Sequence, residues 1–265
     1  MGALRGMLSF FTMIRVDITQ DDTDAMDRKF WMVPVIGALY GLIAAAMMTF
    51  LAGYIGIDPL VSSAVTFFAI FGFNRFLHID GMIDVGDGLV VAGTKEDHLR
   101  ALKDTRIGAG GTAFAVMIIF ITITAAASIP IAMMALLLFS SEVMAKVGMV
   151  SAAAFGTPGD GMAGNSVRFT KKSSLLLAAA LAIILISMFV IFVHLIQDHT
   201  AFIETVNDWH IILSIPLLVS AVTGMLMAFV AKRNFGMVNG DVLGATNEIT
   251  RAFVLLTFLI LLSVI

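Results

Sequence analysis

The sequence predicts an all-α integral membrane protein with about seven transmembrane helices, and three observations support this prediction. Hydrophobic residues make up 59% of the 265 residues and charged residues only 13%, about half the charged share of soluble domains. The apolar residues fall in runs of about 20, the length that crosses the hydrocarbon core of a bilayer. Lys and Arg occur in only some of the connections between these runs. One polytopic membrane domain over residues 1–265 is therefore expected.

Composition also limits the chemistry that the chain can perform. Because the sequence contains no cysteine, disulfides, thiolate metal sites and cysteine nucleophiles are excluded. Any metal must be held by oxygen or imidazole, which favours a hard cation such as Mg²⁺. The net charge of −3 is too small to indicate a nucleic-acid partner. Residues 1–11 lack the small-residue cleavage site of a signal peptide, so none is expected.

Seven segments are long and apolar enough to be candidate spans, although the last of them is short. They are residues 31–53, 60–77, 111–128, 131–153, 174–195, 211–231 and 252–265.

The connections between these segments differ in charge, and this difference predicts the orientation. Connections 56–59, 128–130 and 194–210 contain no Lys or Arg, and the last of them is acidic. The positive-inside rule places the connections that do contain Lys or Arg on the cytoplasmic side of the cell membrane. With seven spans, the N-terminus is cytoplasmic and the C-terminus lies outside. All Lys and Arg residues fall in the N-terminal segment and in residues 75–106, 146–172 and 232–251.

Two of the cytoplasmic segments have a distinctive composition. Residues 9–15, SFFTMIR, lie within an N-terminal segment 1–30 and predict an interfacial helix or a gate rather than a span. Residues 156–173 are rich in glycine and are expected to form a mobile loop.

The densest polar segment, residues 74–107, is expected to be a cytoplasmic active-site loop. Asp80, Asp84 and Asp87 are spaced i, i+4, i+7 and share one face if a helix continues past Leu77. Carboxylates about 6 Å apart repel by roughly 3 kcal/mol per pair at an effective dielectric constant of 20. A divalent cation would relieve this repulsion, so the pattern indicates a metal site rather than a solvated helix end.

Glycines at 81, 86 and 88 interleave with these carboxylates. Each glycine weakens a helix by about 1 kcal/mol, so helix propensity does not explain them. They indicate that either a bulky ligand or another backbone comes close to this helix.

Residues 94–103 predict a short amphipathic helix with Thr94 as its N-cap. It leads to Lys103 and Arg106, cations suited to binding phosphate groups, with membrane anchoring as the alternative. The glycine-rich sequence 108–111 then begins the third span, whose free N–H groups are expected to point at an anion.

Two further pairs of ionisable residues are candidates for a site. Asp241 and Glu248 are seven residues apart in residues 232–250, which are expected to form a second cytoplasmic motif. Glu142 and Lys146 have the i, i+4 spacing of a helical ion pair inside the fourth span. Ionisable groups within spans are functional-site candidates, with a buried structural pair as the alternative reading.

Three blocks of this sequence resemble the signature of the cobalamin synthase family, also called cobalamin-5′-phosphate synthase or adenosylcobinamide-GDP ribazoletransferase. The blocks are LHIDGMIDVGDG, LKDTRIGAGG and NGDVLGATNE, and the sequences SFFTMIR, VPVIGALYG and SEVMAK are also similar. The resemblance covers the whole chain. The sequence departs from the family pattern at residues 74–76, where small residues are more usual, and at residues 14–15, where a proline usually stands second.

The resemblance implies a Mg²⁺-dependent transferase of cobalamin biosynthesis. A ribose hydroxyl of α-ribazole, or of its 5′-phosphate, attacks the phosphorus attached to the cobinamide of adenosylcobinamide-GDP, and GMP leaves. His78 or one of the carboxylates accepts the proton. The implied site contains the catalytic residues His78, Asp80, Asp84 and Asp87, the metal ligands Asp80, Asp84, Asp87, Asp104, Asp241 and Glu248, and the phosphate-binding or substrate-binding residues Lys103, Arg106, Glu142 and Lys146.

Other functions remain open at this stage. A weaker likeness to CDP-alcohol phosphotransferases is one of site design, since the Ala-Arg pair of that family is missing. A cation-coupled transporter or channel would carry its ionisable groups near the bilayer midplane, and a structural scaffold gives no reason for acids to cluster. The expected partners are the two substrates and the bilayer, with no nucleic acid. Assembly as a homo-oligomer, or with other enzymes of cobalamin assembly, is left open.

Overall fold

The computed structural model describes residues 2–196 and 209–264, and within these residues the chain forms twelve α-helices and no β-strand. A 3₁₀ turn at Phe30–Met32 precedes the third helix, and a π-helical segment at Thr49–Ile55 extends it. The helices are α1 (Gly2–Phe11), α2 (Gln20–Arg28), α3 (Pro34–Met48), α4 (Pro59–Phe73), α5 (Leu77–Val90), α6 (Lys95–Leu102), α7 (Ala109–Ala127), α8 (Ile131–Phe155), α9 (Gly161–Phe169), α10 (Lys172–Ile196), α11 (Trp209–Asn234) and α12 (Gly240–Val264).

The described part of the chain contains six helical segments that are long and apolar enough to cross a membrane. Helices α4 and α5, which meet at an angle of 93°, add a seventh if the bent pair counts as one span. A helix of 25 residues is about 38 Å long, which exceeds the ~30 Å hydrocarbon core. The prediction of an all-α, multi-pass membrane protein with about seven spans is confirmed. The orientation stays a prediction, and the acidic connection 194–210 lies largely outside the described residues.

Two of the predicted spans have different boundaries in the structure. The second was expected to be continuous over 60–77, but α4 ends at Phe73 after 15 residues, about 22 Å and too short to cross alone. The last was expected at 252–265, whereas α12 already begins at Gly240. Most of the predicted cytoplasmic motif 232–250 is therefore helical. Hydropathy missed these first turns of α12, about three in number, because their polar side chains are buried against other helices.

The bend between α4 and α5 is built from two residues in the left-handed backbone region. Arg75 and Phe76 both have φ of 57°, a conformation that costs non-glycine residues of order 1–3 kcal/mol. The Arg75 guanidinium donates hydrogen bonds to the carbonyls of Ser9 and Phe10, at 3.1 and 2.7 Å, in the last turn of α1. These bonds satisfy the end of α1 and hold the bend against it. The bend occupies the residues where the sequence departs from the family pattern.

Helix α8 is the centre of the bundle. Every residue from 136 to 153 is buried, as expected for a helix that is apolar around its whole circumference. It packs against α3, α10, α11 and α12. In contrast, α10 exposes a row of large apolar side chains that includes Leu176, Ile184 and Ile191, which suits a surface that faces lipid.

The N-terminal segment forms a helical hairpin. Thr19 begins α2 with a capping box, in which its N–H donates to the Asp22 carboxylate at 3.0 Å. Met7 and Phe11 on α1 are buried in the main core. This segment is therefore an integral part of the bundle, and its location at a membrane interface stays a prediction.

The glycine-rich segment 156–173, expected to be a mobile loop, is largely structured. The Val238 N–H donates to the Thr157 carbonyl at 2.7 Å, and the Gly159 N–H donates to the Val238 carbonyl at 3.0 Å. Residues Gly161–Phe169 then form α9, which packs against α2. The glycines here permit close packing of two connections rather than mobility.

The orientation predicts which positions a membrane-impermeant thiol reagent can reach. The chain has no native cysteine, so any labelling by the reagent comes from the single cysteine that is introduced. Cysteine at Gly56, Ser128 or Ser263 is expected to be labelled from outside intact cells, whereas cysteine at Glu96 is expected to be labelled only after the membrane is opened. Labelling of the Glu96 position from outside together with protection of Gly56 would reverse the orientation. Equal accessibility of Gly56 and Glu96 from outside would show that α4 and α5 form a re-entrant pair.

Candidate active site

Helices α5 and α12 touch through their backbones, and this contact brings two of the acidic blocks together. A Cβ atom added to Gly81 would lie 2.7 Å from the Cα atom of Asp241, so only glycine permits this approach. The glycines of α5 were expected to admit either a bulky ligand or another backbone, and at Gly81 the neighbouring group is the backbone of α12. As a result, the charges of Asp241, Asp80 and Asp87 all act on the Asp84 carboxylate.

Asp87 connects this cluster to the third block. Its two carboxylate oxygens accept hydrogen bonds from the N–H groups of Gly108 and Gly111, each at 2.7 Å. A side chain at Gly111 would overlap the Ile83 carbonyl oxygen of α5. Glycine is therefore required at this position for the start of α7 to lie this close to α5. The free N–H groups of the third span were expected to point at an anion. That anion is the Asp87 side chain of the protein itself.

The other predicted metal ligands have different surroundings. Asp104 accepts hydrogen bonds from the Arg106 side chain at 3.2 and 2.9 Å and from its backbone N–H at 3.0 Å. These bonds lower the pKa of Asp104 to about 2. Glu248 is buried and contacts Arg251. Within residues 2–196 and 209–264, no three His, Asp or Glu side chains are arranged to hold a metal ion by themselves.

Three carboxylates of the predicted set therefore have neither a cationic partner nor, as Asp87 has, the N–H groups of a helix end. Asp80, Asp84 and Asp241 take part in no ion pair among the described residues. Asp241 accepts a hydrogen bond of 2.6 Å from the Asn239 side chain, and Asp80 is exposed. These acids form a negative surface that is available to a cationic ligand.

His78 lies next to this surface and is 1% exposed. Its Nδ1 atom is 3.3 Å from the Glu248 carboxylate and 3.5 Å from the Asn74 side-chain amide. A carboxylate at Nδ1 favours the tautomer with its proton on that nitrogen. The Nε2 atom has no hydrogen-bond partner in the described part of the chain. His78 is therefore an oriented imidazole with one nitrogen free to accept a proton.

A buried ion network underlies His78. The Nε and Nη2 atoms of Arg251 lie 2.6 and 3.0 Å from the two carboxylate oxygens of Glu142 on α8, and Nη1 donates to Glu248. The guanidinium also lies 5.6 Å from the ring centres of Phe67 and Phe71 on α4. Arg251 is the largest completely buried side chain among the described residues.

Lys146 completes the network, but not as the sequence spacing predicted. It was expected to pair with Glu142 one turn away, and instead its Nζ donates to the Asn247 carbonyl oxygen at 2.8 Å. Its ammonium also lies 4.7 Å from the centre of the Tyr40 ring. Glu142 pairs with Arg251 rather than with Lys146 because a guanidinium can contact both carboxylate oxygens at once. Substrate binding by Glu142 and Lys146 stays a prediction, and in this structure both side chains are completely buried.

The two cations expected to bind phosphate are on the surface. The Arg106 guanidinium forms an ion pair with the Asp104 carboxylate, and the Lys103 Nζ lies 3.6 Å from the Asp160 carboxylate. Exposed pairs of this kind contribute little to stability. Both cations can therefore exchange their carboxylate partners for a phosphate at little cost, and their phosphate-binding role stays a prediction.

An apolar cleft opens beside the acids, between α1, α5, α9 and α12. His78, Asp80 and Asp241 form part of its wall. The cavity volume of the cleft is about 80 Å³. Its apolar lining includes Phe10, Phe11, Phe30, Met26, Met149 and Met162.

Sequence reasoning did not identify Arg251, Asn247 or Tyr40 as part of the site. Arg251 was counted among the cytoplasmic cations that set the orientation, although it is buried within α12. One signal was available: Arg251 follows Glu248 by three residues, the spacing of neighbours on one helix face. The contribution of Tyr40 from α3 had no such local signal.

Comparisons with known proteins cover almost the whole chain. A model of the cobalamin-5-phosphate synthase family matches residues 3–259. The adenosylcobinamide-GDP ribazoletransferase of Methanocella arvoryzae is 32% identical over 95% of this chain and 92% of its own. Enzymes with the same name from Methanosarcina mazei, 25% identical over 98% of this chain and 92% of the relative, and Pyrococcus furiosus, 29% identical over 96% and 97%, are also similar. No solved structure matches this chain.

The buried network predicts a large loss of stability on removal of its guanidinium. Arg251→Met keeps a long side chain but leaves Glu142 and Glu248 buried without their cation. This is expected to cost about 3–5 kcal/mol, seen as a lower thermal midpoint in detergent. The matched control is Arg233→Met at an exposed position of α11, which should change stability by less than about 0.5 kcal/mol. Equal midpoints for the two variants would contradict a structural role for the network.

Proposed function

This chain belongs to the cobalamin-5-phosphate synthase family, and on that premise we propose that it acts as an adenosylcobinamide-GDP ribazoletransferase in the cell membrane. It joins the cobinamide phosphate of adenosylcobinamide-GDP to α-ribazole, or to α-ribazole 5′-phosphate, and releases GMP. The observation that carries the proposal is the meeting of three separate sequence blocks at one place. Asp80 and Asp241 line the cleft that contains His78, and the charge of Asp241 acts on Asp84. Asp87, on the same helix as Asp80 and Asp84, holds the start of α7.

The reaction is a substitution at phosphorus. An oxygen of the ribose hydroxyl forms a bond to the phosphorus that carries cobinamide, and the bond from that phosphorus to the oxygen of GMP breaks. GMP leaves with the electron pair of the broken bond. The hydroxyl proton must pass to a base, and His78 Nε2 is the proposed acceptor. Glu248 then stabilises the imidazolium that forms, because its carboxylate faces Nδ1 at 3.3 Å.

Magnesium is part of the proposal, and the donor set supports it. Asp80, Asp84 and Asp241 offer hard oxygen ligands on a surface with no compensating cation among the described residues. Mg²⁺ is usually held by one or two carboxylates together with substrate phosphates, so a diphosphate would supply the ligands that these acids lack. When bound, the ion would offset the negative charge on the diphosphate. Asp87 and Asp104 are less suited, since their oxygens already hold α7 and Arg106.

The transporter alternative is not favoured. A transporter would use ionisable groups in the bundle interior to bind its cargo. Among the described residues, the buried cations Lys146 and Arg251 and the buried acids Glu142 and Glu248 form hydrogen bonds or ion pairs among themselves and with Asn247. The acids without partners lie at one end of α5 and α12, where a reaction at a cytoplasmic surface would need them.

The proposed activity is tested with the purified protein in detergent. Incubation with adenosylcobinamide-GDP, α-ribazole and Mg²⁺ is expected to release one GMP for each corrinoid product formed. Omission of α-ribazole should stop the release, which separates transfer from hydrolysis. A well-folded preparation that forms neither product would contradict the proposed function.

Asp84→Asn tests the role of the acidic surface, since it removes a charge but keeps size and hydrogen-bonding capacity. Loss of one electrostatic stabiliser costs roughly 3–4 kcal/mol of transition-state energy, so kcat/KM should fall by about two to three orders of magnitude with folding unchanged. The control Asp21→Asn lies on the exposed face of α2 and should be fully active. Activity of the wild type should also disappear with EDTA and return with Mg²⁺. Near-normal turnover of Asp84→Asn would remove Asp84 from the site.

His78→Gln tests the proposed base. Glutamine can still form a hydrogen bond with Glu248 but cannot take up the proton, so kcat should fall by about 10²–10⁴ with KM values little changed. Imidazole added to His78→Gly, whose missing side chain leaves room for the ring, should restore part of the lost rate, an effect that a purely structural role would not produce. The matched control is His98→Gln, a histidine on α6 outside the cleft. If His78→Gln loses stability rather than turnover, the proton acceptor is another group.

A further inference from the structure

The acids and His78 differ in how accessible they are to a ligand. Asp80 is exposed, so a cation or a phosphate can reach it directly. In contrast, His78 is 1% exposed, and its Nε2 atom is buried without a partner among the described residues. The cleft beside it has a cavity volume of about 80 Å³, against roughly 300–1,000 Å³ for small-molecule sites. A substrate hydroxyl can therefore contact Nε2 only if part of the cleft wall moves.

One wall of the cleft is fixed to the bundle. Helix α1 contributes Phe10 and Phe11 to the lining. The Phe10 carbonyl accepts a hydrogen bond of 2.7 Å from the Arg75 guanidinium, and the Phe11 carbonyl accepts one from the Tyr40 hydroxyl. These bonds join α1 to the bend before α5 and to α3, and the Phe11 side chain is buried in the main core. Helix α1 is therefore unsuited to open the cleft.

Another wall is helix α9, which is held mainly by α2. Ala163 and Ser166 on α9 line the cleft. The Ser166 hydroxyl donates to the Asp27 carboxylate on α2 at 2.6 Å, and the Arg28 guanidinium lies 4.7 Å from the centre of the Phe169 ring. Among the described residues, no hydrogen bond or ion pair joins α9 to α12. Helix α9 can therefore leave α12 without uncovering a polar contact between them.

Helix α9 also begins at a residue about which it can pivot. The Gly159 N–H donates to the Val238 carbonyl at 3.0 Å, so the connection before the helix is held in place. Gly161, the first residue of the helix, has φ of 79°, a left-handed conformation that favours glycine. No atom lies within 4 Å of the position that its Cβ would occupy. Terminal residues of this kind absorb the dihedral changes of a hinge.

We infer that α9 is a lid, and that it must swing away from α12 before a ligand can reach His78. This inference rests on the proposed function, because it adds the access step to the proposed proton acceptor. With the lid closed, Asp80 is still open to a cation and a phosphate, whereas Nε2 is shielded from water and from any hydroxyl. The lid therefore separates binding at the acids from proton transfer, and exclusion of water from the base limits hydrolysis of the donor.

A reversible disulfide tests the lid, since the chain has no native cysteine. A Cβ atom added at Gly240 on α12 would lie 3.6 Å from the Ala163 Cβ atom on α9, within the range of about 3.5–4.5 Å for disulfides. Oxidation of Ala163→Cys/Gly240→Cys is expected to stop GMP release, and reduction with dithiothreitol should restore it. The matched control is Gly2→Cys/Ala25→Cys, whose Cβ atoms are also 3.6 Å apart but join α1 to α2. Its oxidation should leave GMP release unchanged.

Modification of His78 by diethyl pyrocarbonate reports lid opening without any turnover. This reagent reacts with accessible neutral imidazoles, and peptide mass spectrometry measures the extent at His78, with the exposed His210 as internal reference. His78 is expected to react slowly in the reduced double variant, once the reductant is removed, and to be protected in the oxidised form. Ser166→Ala removes a hydrogen bond that holds α9 to Asp27, so it should speed modification of His78 by roughly three- to tenfold.

The outcomes separate the lid from the proposed activity. Equal modification of His78 in the oxidised and reduced forms, or no modification in either, would overturn the inference. If the disulfide does not form, the Ser166→Ala comparison decides, and an unchanged rate at His78 would also overturn it. If the disulfide protects His78 but the reduced protein and the wild type release no GMP, the lid stands and the proposed activity fails.

Discussion

The contact of Arg251 with Glu142 and Glu248 is the interaction on which the rest of the structure depends. A guanidinium without partners in the centre of a membrane bundle would be prohibitively costly, so the position of α12 against α8 is determined by this contact. Lys146 and Asn247 extend the network from the same two helices. Two cations and two anions balance one another, which lets α8 bury polar groups along a face that is otherwise apolar.

The network also fixes the geometry of His78. Glu248 contacts Arg251 on one side and His78 on the other, so the imidazole is oriented by a carboxylate that is itself held in place. Pre-organisation of this kind reduces the reorganisation that a reaction requires. The bend before α5 delivers His78 to this position, and Arg75 holds that bend to α1. Helix α5 therefore connects the bend at Arg75 to His78, and through Glu248 to the buried network.

The protein contains two groups of acids with opposite electrostatic environments. Glu142 and Glu248 are neutralised internally by cations. Asp80, Asp84 and Asp241 face one another at the end of α5 and α12, and no cation of the described chain pairs with them. Repulsion within the second group is unfavourable, and the divalent cation of the proposed function would relieve it. The apolar cleft beside these acids excludes water from one side of the same surface, which strengthens the electrostatic interactions there.

Local sequence was sufficient for the membrane class, the approximate number of spans, the helix capped by Thr94 and the positions of the acidic blocks, because these features depend on residues within one or two helical turns. The glycine at 81 also indicated the close approach of either a ligand or another backbone, without deciding between them. Only the tertiary structure decided that Asp87 caps α7, that Arg251 displaces Lys146 from Glu142, and that α12 begins at Gly240. Each of these features depends on contacts between residues that are far apart in the chain. Burial and the geometry of a guanidinium or a helix end determine which of these contacts form, and the spacing of residues along one helix does not encode them.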